Sequence, residues 1–231
     1  MVKSSDKRRV LGNIEADIIR GEIVNGIHSY AEFNYGGKYK FRIEADKVVD
    51  GKRVGSEIYK NGKVVKRSIV SNGRYRNIAL GFGDSLMEHQ LLAVALIPGA
   101  MEAVLDLEVD YVINHKTISK ASVDARERKY EYDRQMHLYY LGYGDAPDVN
   151  LLANPYIPPC DARDLEICTQ SENYAHGAFI KTFGLYDFPI SAKDIDLLEE
   201  FMINKRQVAY TMTMYLQFGA EAMRKALPKA N

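Results

Sequence analysis

Residues 110–117, DYVINHKT, place an asparagine and a histidine side by side after a short apolar run. Tyr111 to Ile113 predict a buried strand, and Asn114 and His115 stand at its end. An isolated pair of this kind is typical of a strand that ends at the solvent. A catalytic role requires a second set of polar residues elsewhere in the chain.

A second set occurs at residues 164–177, DLEICTQSENYAHG. Alternating apolar residues predict a short strand, and Ser171 is expected to cap a helix that carries Asn173 and His176 in its first turns. Together the two segments predict two strands and a helix, with amides and histidines at their junctions. The predicted fold class of the chain is α+β.

Charge is unevenly distributed along the chain, although the net charge is zero. Residues 1–80 contain 17 lysines and arginines against 9 acidic residues, and residues 81–115 contain 6 acidic residues and no lysine or arginine. This distribution favours a first part that contacts phosphates and a second part that gathers near a cation. Solvated faces of mixed charge are the alternative explanation.

Three turn dipeptides recur at equal spacing in the basic part of the chain: Asp50-Gly51, Asn61-Gly62 and Asn72-Gly73. Each favours a tight hairpin turn. The runs between them are rich in aromatic and β-branched residues and predict an antiparallel meander of three or four strands. These runs are residues 39–49, 53–60, 63–70 and 74–80.

Basic side chains cluster on these strands and turns, with tyrosines among them. Such a surface is expected to contact a DNA backbone, and a solvated outer face is the alternative. The residues concerned are Lys52, Arg53, Lys60, Lys63, Lys66, Arg67, Arg74 and Arg76.

Residues 85–97, SLMEHQLLAVALI, predict the next helix. Ser85 is expected to be its N-cap, with Glu88 three residues later, and Pro98-Gly99 ends it. His89 lies in the first turn and is expected to bond a neighbouring backbone group.

VINHKT and DLEICTQSENYAHG resemble the two halves of the HNH endonuclease motif carried by phage and intron-encoded homing endonucleases. The family pattern is roughly V-[DN]-H, followed by N-L-E-[WIV]-x-T-x-x-E-N-x-x-H. The upstream segment GRYRNIALGFGDSLMEHQLLAVALIPG is similar to the stretch that precedes the motif, where a strand is followed by H-x-L-x-A-x-x-F-I-P. The resemblance covers residues 74–115 and 164–177.

The resemblance implies a β-hairpin and a helix around one divalent ion, Mg²⁺ with Mn²⁺ as the alternative. Asn114 and Asn173 would be the metal ligands, and His115 would be the general base. Asp164 would bond the far nitrogen of His115, and His176 would reach the phosphate or the outer shell of the metal. A histidine that titrates near neutral pH suits the activation of water, and a hard cation suits the charge on a phosphate.

This chain departs from the family pattern at several points. Asp164 stands where the family has asparagine, and both metal ligands would be neutral amides, where many relatives have aspartate at the first position. The two halves of the motif are about a dozen residues apart in the family, whereas His115 and Asp164 are 49 apart here. The additional segment predicts a helix from Ser122 to Gly142, and Asn150 and Asn154 are alternatives for the role of Asp164.

Two helices are predicted at the C-terminus, the first begun by Ser191 and Asp194 and the second over about residues 205–227. By analogy with homing endonucleases they favour a helical DNA-recognition module, with core packing or a homodimer seam as the alternative. Three segments are therefore expected. They are a basic sheet with a helix (1–98), an HNH core (99–184) with an insertion at about 117–160, and a helical segment (185–231).

The remaining features restrict the class of protein. The chain has no run of 18 or more apolar residues and begins without the apolar stretch of a signal peptide, so it is expected to be cytoplasmic and outside the membrane. Cys160 and Cys168 fit neither a disulfide framework nor a zinc ribbon and are expected to be reduced and partly buried.

Taken with the basic N-terminal part, the resemblance implies a metal-dependent, homing-like endonuclease of phage type that hydrolyses double-stranded DNA. One alternative is a DNA-binding protein that keeps an HNH-like scaffold without cutting. A second alternative is an interaction or inhibitor protein built on the tyrosine-rich insertion and the C-terminal helices.

Overall fold

A computed structural model describes residues 4–70, 75–106, 108–149, 160–202 and 208–226. The fold is α+β, with antiparallel sheets and several helices, as predicted. The strands are β1 (Ile19–Arg20), β2 (Ile23–Val24), β3 (Ile27–His28), β4 (Tyr30–Tyr35), β5 (Tyr39–Val49), β6 (Lys52–Lys60), β7 (Lys63–Val64), β8 (Ser68–Val70), β9 (Tyr75–Gly81), β10 (Asp84–Met87), β11 (Tyr111–His115) and β12 (Leu165–Thr169). The helices are α1 (Ser4–Glu15), α2 (Glu88–Leu96), α3 (Ala100–Leu105), α4 (Lys120–Tyr140), α5 (Gln170–Phe183), α6 (Ile195–Phe201) and α7 (Val208–Ala226).

Strands β5 and β6 are the centre of a five-stranded antiparallel sheet with the order β1-β4-β5-β6-β7. The chain turns at Asp50-Gly51 and at Asn61-Gly62, where all four residues have positive φ angles. Both predicted hairpin turns are therefore confirmed. The third, Asn72-Gly73, lies outside the described residues.

The predicted meander is divided between two sheets. Residues 63–70 form two short strands instead of one, because β7 pairs with β6 whereas β8 pairs with β9 in a separate sheet of order β10-β9-β8. Arg67 lies between them and donates hydrogen bonds to the buried carboxylates of Glu57 and Glu88. The chain thus leaves the first sheet where a charged side chain must face inward.

The predicted helix at residues 85–97 begins later than expected. Ser85 and Leu86 pair with Ala79 and Ile78 in β10, and α2 starts at Glu88 without a side-chain cap. The assignment of Ser85 as N-cap is therefore wrong, because the hydrogen bonds of a neighbouring strand outweigh the local capping pattern.

The first hydrophobic core lies between the large sheet and α2. Phe41, Ile43 and Ala45 alternate along β5 as its buried residues, and every residue of α2 from Leu91 to Leu96 is buried. The same core includes residues from beyond the boundary expected at residue 98, among them Met101, Ala162 and Leu165. The strand β12 is therefore anchored on the basic N-terminal part of the chain.

Strands β11 and β12 pair in an antiparallel hairpin, which α5 follows directly. The hydroxyl of Thr169 accepts a hydrogen bond from the Glu172 N–H, and the Glu172 carboxylate accepts one from the Thr169 N–H. This capping box starts α5 before Ser171, the predicted cap. The predicted order of strand, strand and helix is present.

The connection between β11 and β12 contains α4, none of whose residues is buried. It begins at Lys120 instead of Ser122, and several of its charged residues pair with one another, as in Lys129 and Asp133. A second core lies between α5, α6 and α7. Its residues include Phe179, Ile180, Leu198 and Met212.

Cys160 and Cys168 are free and buried, in agreement with the prediction of reduced residues. None of the described helices is long and apolar enough to cross a membrane.

Candidate active site

The hairpin brings the two polar segments of the sequence together. His115 lies opposite Leu165, and Asn114 lies opposite Glu166. The segment of 48 residues between His115 and Asp164 leaves the hairpin at one end and returns to the same end. There the Lys116 N–H donates to the Asp164 carbonyl at 2.7 Å.

Asn114 and His115 face opposite sides of this hairpin, because successive side chains alternate along a strand. Asn114 points towards α5, where it contacts His176. His115 points towards α2, where it contacts His89. The site thus has a histidine–carboxylate side and an amide side, separated by the thickness of one backbone.

On the first side, Asp164 lies beside His115. The distance from the Asp164 Oδ2 atom to the His115 Nδ1 atom is 3.7 Å, which is longer than a formed hydrogen bond but within the range of an ion pair. The Thr117 hydroxyl donates to Asp164 Oδ1 at 2.5 Å and holds the carboxylate in place. The His115 side chain is 34% exposed, so a substrate can reach its ring.

His89 packs against His115 and was not predicted to belong to the site. The two ring centroids are 5.6 Å apart. Burial, together with the nearby charges of His115 and Lys7, lowers the pKa of His89 to about 3. His89 is therefore neutral at physiological pH, and the H-x-L-x-A pattern that contains it was the only signal in the sequence.

On the second side, the amide of Asn114 is held between two acceptors. Its Nδ2 atom donates to Glu166 Oε1 at 2.9 Å and lies 3.3 Å from His176 Nδ1. The amide nitrogen is only a donor, so Nδ1 of His176 must accept and its proton is on Nε2. Asn114 is 7% exposed.

His176 is fully buried, which limits what it can reach. Its Nε2 atom has no hydrogen-bond partner among the described residues, and the backbone of Lys116 and Ile190 lies close to the ring. Burial lowers the pKa of His176, and the charge of Glu166 and these backbone groups oppose the change. Of its two predicted roles, the outer shell of a metal bound to Asn114 fits this position, whereas direct contact with a phosphate does not.

Asn173 lies three residues before His176 and therefore on the same side of α5, one turn nearer its start. It is partly exposed, and its side chain forms no hydrogen bond with the described residues. Its amide oxygen is available to a ligand.

Glu166 is the second residue of the site for which no role was predicted from the sequence, although it is the glutamate of the N-L-E pattern. Besides Asn114, its carboxylate accepts hydrogen bonds from the Ser191 hydroxyl at 2.6 Å and from the Ala192 N–H at 2.7 Å. Its position opposite Asn114 follows from the strand register, but its partners 25 residues further along the chain do not.

The described residues contain no group of three or more histidine, cysteine, aspartate or glutamate side chains that could hold a metal ion. Asn150 and Asn154, the alternatives for the role of Asp164, lie outside the described residues.

The predicted DNA-contacting residues fall into two groups. Arg53 pairs with Asp46 and Asp161, Arg67 pairs with Glu57 and Glu88, and Lys60 lies over the Tyr39 ring. Arg76 lies 3.9 Å from Glu88. Lys52, Lys63 and Lys66 are exposed and form no ion pair with the described residues, and Arg74 lies outside them.

No family model, curated protein or solved structure matches this chain. The functional assignment therefore depends on the contacts described above.

Proposed function

We propose that this protein is a metal-dependent DNA endonuclease of the HNH type. The observation that carries the proposal is the position of Asp164 beside His115, at the end of a hairpin that is followed directly by a helix with Asn173 and His176. An imidazole with a carboxylate behind it and an exposed ring is suited to remove a proton from water.

The chemistry follows from the two sides of the His115 ring. Asp164 lies 3.7 Å from Nδ1, and a small movement of the ring when substrate binds lets the carboxylate accept the Nδ1–H and leaves Nε2 unprotonated. Nε2 takes a proton from a water molecule, whose oxygen forms a bond to phosphorus as the bond between phosphorus and the 3′ oxygen breaks. The carboxylate stabilises the imidazolium, and the departing 3′ oxygen is protonated from solvent.

Asn114 and Asn173 are the residues that would hold the divalent ion, Mg²⁺ or alternatively Mn²⁺. The orientation of the Asn114 amide supports this assignment, because its nitrogen is engaged by Glu166 and His176 and its oxygen is left available. A hard cation bound there would offset the charge on the phosphate and the departing oxygen. Two neutral ligands bind such an ion weakly, so a phosphate of the DNA is expected to complete its coordination.

Double-stranded DNA is the proposed substrate, and the exposed lysines Lys52, Lys63 and Lys66 are the proposed backbone contacts. A phage origin, a host-cytoplasmic location and a homodimer through the C-terminal helices accompany this assignment as further proposals.

The test is nicking of a supercoiled plasmid by the purified chain in Mg²⁺ or Mn²⁺. Wild type is expected to nick, and His115→Ala is expected to lose the activity. His137→Ala is the matched control, because His137 is an exposed histidine on α4. Absence of nicking by wild type, or equal nicking by His115→Ala, contradicts the proposal.

A second candidate is a DNA-binding protein that does not cut. It is favoured by the neutral character of both proposed metal ligands. It predicts that wild type binds the plasmid with an affinity that falls as salt rises, but nicks it no faster than His115→Ala. The third alternative, an interaction or inhibitor protein, predicts no retention on DNA at low salt.

A further inference from the structure

Both oxygens of the Glu166 carboxylate accept hydrogen bonds, although no role was predicted for this residue from the sequence. Oε1 accepts hydrogen bonds from Asn114 Nδ2 at 2.9 Å and from the Ala192 N–H at 2.7 Å. Oε2 accepts one from the Ser191 hydroxyl at 2.6 Å. The carboxylate is therefore fixed between β11 and the chain segment that leads into α6.

This arrangement decides which way the Asn114 amide faces. A carboxylate oxygen accepts hydrogen bonds and cannot donate one, so only the amide nitrogen can face Glu166. The same nitrogen faces His176 Nδ1. If the amide were turned by 180°, its oxygen would face the Glu166 carboxylate, and two acceptors would oppose each other in a site that is 7% exposed.

We propose that Glu166 is a positioning residue that holds the Asn114 amide with its oxygen turned towards the divalent cation, and that Ser191 and Ala192 hold Glu166 in place. This inference depends on the proposed function, because the cation is the ion proposed above. An asparagine needs a neighbour that fixes the orientation of its amide, because only one end of the amide is an oxygen. An aspartate at the same position does not, since its two oxygens are equivalent.

The hydrogen-bond network around Glu166 extends into the C-terminal part of the chain. The Ser191 N–H donates to the Tyr215 hydroxyl at 3.2 Å, and that hydroxyl donates to Asp194 Oδ2 at 2.9 Å. Arg224 donates to the other oxygen of Asp194 at 2.6 Å. The orientation of one amide in β11 is thus connected to α7 by a continuous series of hydrogen bonds.

The first measurement is the NMR signal of the Asn114 side-chain NH₂ group, assigned with Asn114→Asp. In wild type its two protons are expected to be well separated in chemical shift and slow to exchange, because both are engaged. Glu166→Ala is expected to move them to the positions of solvent-exposed amides. Glu166→Gln is expected to preserve them, since the glutamine oxygen can accept from Asn114 and Ala192 while its NH₂ group faces the Ser191 hydroxyl.

The second measurement is Mn²⁺ binding followed by the EPR signal of free Mn²⁺. Glu166→Ala is expected to weaken binding by about tenfold to a hundredfold, the usual effect of removing a partner of a metal ligand. Glu166→Gln is expected to bind like wild type. Glu199→Ala, which removes an exposed carboxylate on α6, is the control for the change in net charge.

The decisive variant is the double substitution Asn114→Asp with Glu166→Ala. It is expected to bind Mn²⁺ at least as tightly as wild type, because a carboxylate needs no fixed orientation. A general loss of folding caused by Glu166→Ala would not be rescued in this way, and thermal melting of each variant monitors it.

The outcomes distinguish the positioning role of Glu166 from the endonuclease assignment. If wild type nicks DNA but Glu166→Ala leaves the Asn114 signals and the Mn²⁺ affinity unchanged, the positioning role is wrong and the endonuclease assignment stands. A double variant that binds as weakly as Glu166→Ala also overturns the positioning role. If wild type neither nicks DNA nor binds Mn²⁺, both claims are wrong.

Discussion

The Asp164 carboxylate lies 3.7 Å from the Nδ1 atom of His115 and is held there by the hydroxyl of Thr117. This position is the basis of the proposed role of Asp164, which is to favour the His115 tautomer whose other nitrogen is the proposed base. The relationship is formed by residues on both sides of the long connection between β11 and β12.

Replacement of Asp164 tests this relationship directly. Asp164→Ala is expected to lower the nicking rate by about a hundredfold or more, since the ring loses the acceptor that fixes its tautomer. Asp164→Asn is expected to retain most of the rate, because an amide oxygen can accept the same bond and asparagine is what the resembled family has there. Equal rates for Asp164→Ala and wild type in a plasmid assay contradict this role.

The lowered pKa of His89 predicts how the free energy of unfolding depends on pH. Its folded-state pKa of about 3 lies below its ordinary value of 6.5, so the unfolded chain binds more protons between these values. The stabilisation is complete above pH 6.5 and is lost as the pH falls, by about 1–2 kcal/mol at pH 5. Urea unfolding at pH 7.5 and pH 5 measures it. His89→Gln is expected to reduce the difference, and an undiminished difference in this variant contradicts the assignment. His176 contributes in the same direction because its pKa is also lowered.

The capping box locates the start of α5. Thr169→Ala is expected to lower the free energy of unfolding by about 1 kcal/mol, because the hydroxyl that accepts from the Glu172 N–H is lost. Ser171→Ala removes an exposed hydroxyl inside the helix and is expected to leave stability almost unchanged. Urea denaturation compares the two, and the reverse order of effects is inconsistent with the capping described here.

The hydroxyl of Tyr215 joins α7 to the segment before α6. Tyr215→Phe is expected to cost about 1–2 kcal/mol of stability, because the Ser191 N–H and the Asp194 carboxylate both lose a partner. Tyr210→Phe is the matched control on the same helix, since Tyr210 is 63% exposed. Denaturant unfolding of the two variants provides the comparison, and similar losses in both speak against the bond.

Basic residues without an ion pair are expected to contribute more to DNA binding than basic residues that pair with carboxylates. Substitution of Lys52, Lys63 and Lys66 by glutamine is expected to reduce the slope of log affinity against log salt for duplex DNA by about 0.9 per lost phosphate contact. Arg53→Gln is expected to lower stability more than it changes this slope, because Arg53 pairs with Asp46 and Asp161. Fluorescence anisotropy over a range of salt concentrations measures the slope, and an unchanged slope in the triple variant rules out these lysines as contacts.

The hairpin and the helix after it could be predicted from the sequence because their signals are local: alternation in each strand and a polar residue before the helix. The turns at Asp50-Gly51 and Asn61-Gly62 were predictable for the same reason. The start of α2 was not, because Ser85 and Glu88 imitate a capping box while Ser85 and Leu86 pair with β9. Local spacing cannot show a strand partner that competes for the same backbone.

The sequence indicated which two segments form the candidate site, but not their arrangement or the contacts of His89 and Glu166. Strand periodicity alone places Asn114 and His115 on opposite faces, yet it does not say what lies against each face. The contacts of His89 with His115, and of Glu166 with Ser191, join parts of the chain that are distant in sequence and meet only after folding. The ion pairs of Arg53 with Asp161 and of Arg67 with Glu88 have the same origin, since both carboxylates come from distant parts of the chain.

The long connection that contains α4 also determines how early during protein synthesis the proposed site can form. Closing a loop of 49 residues in place of about a dozen costs about 1 kcal/mol more in chain entropy, and α4 packs no buried residue that offsets it. During synthesis His115 leaves the ribosome long before Asp164 and Glu166, so the growing chain carries its proposed base without the carboxylates that orient the site. The proposed site can therefore form only after the ribosome has completed the whole connection and the strand that follows it.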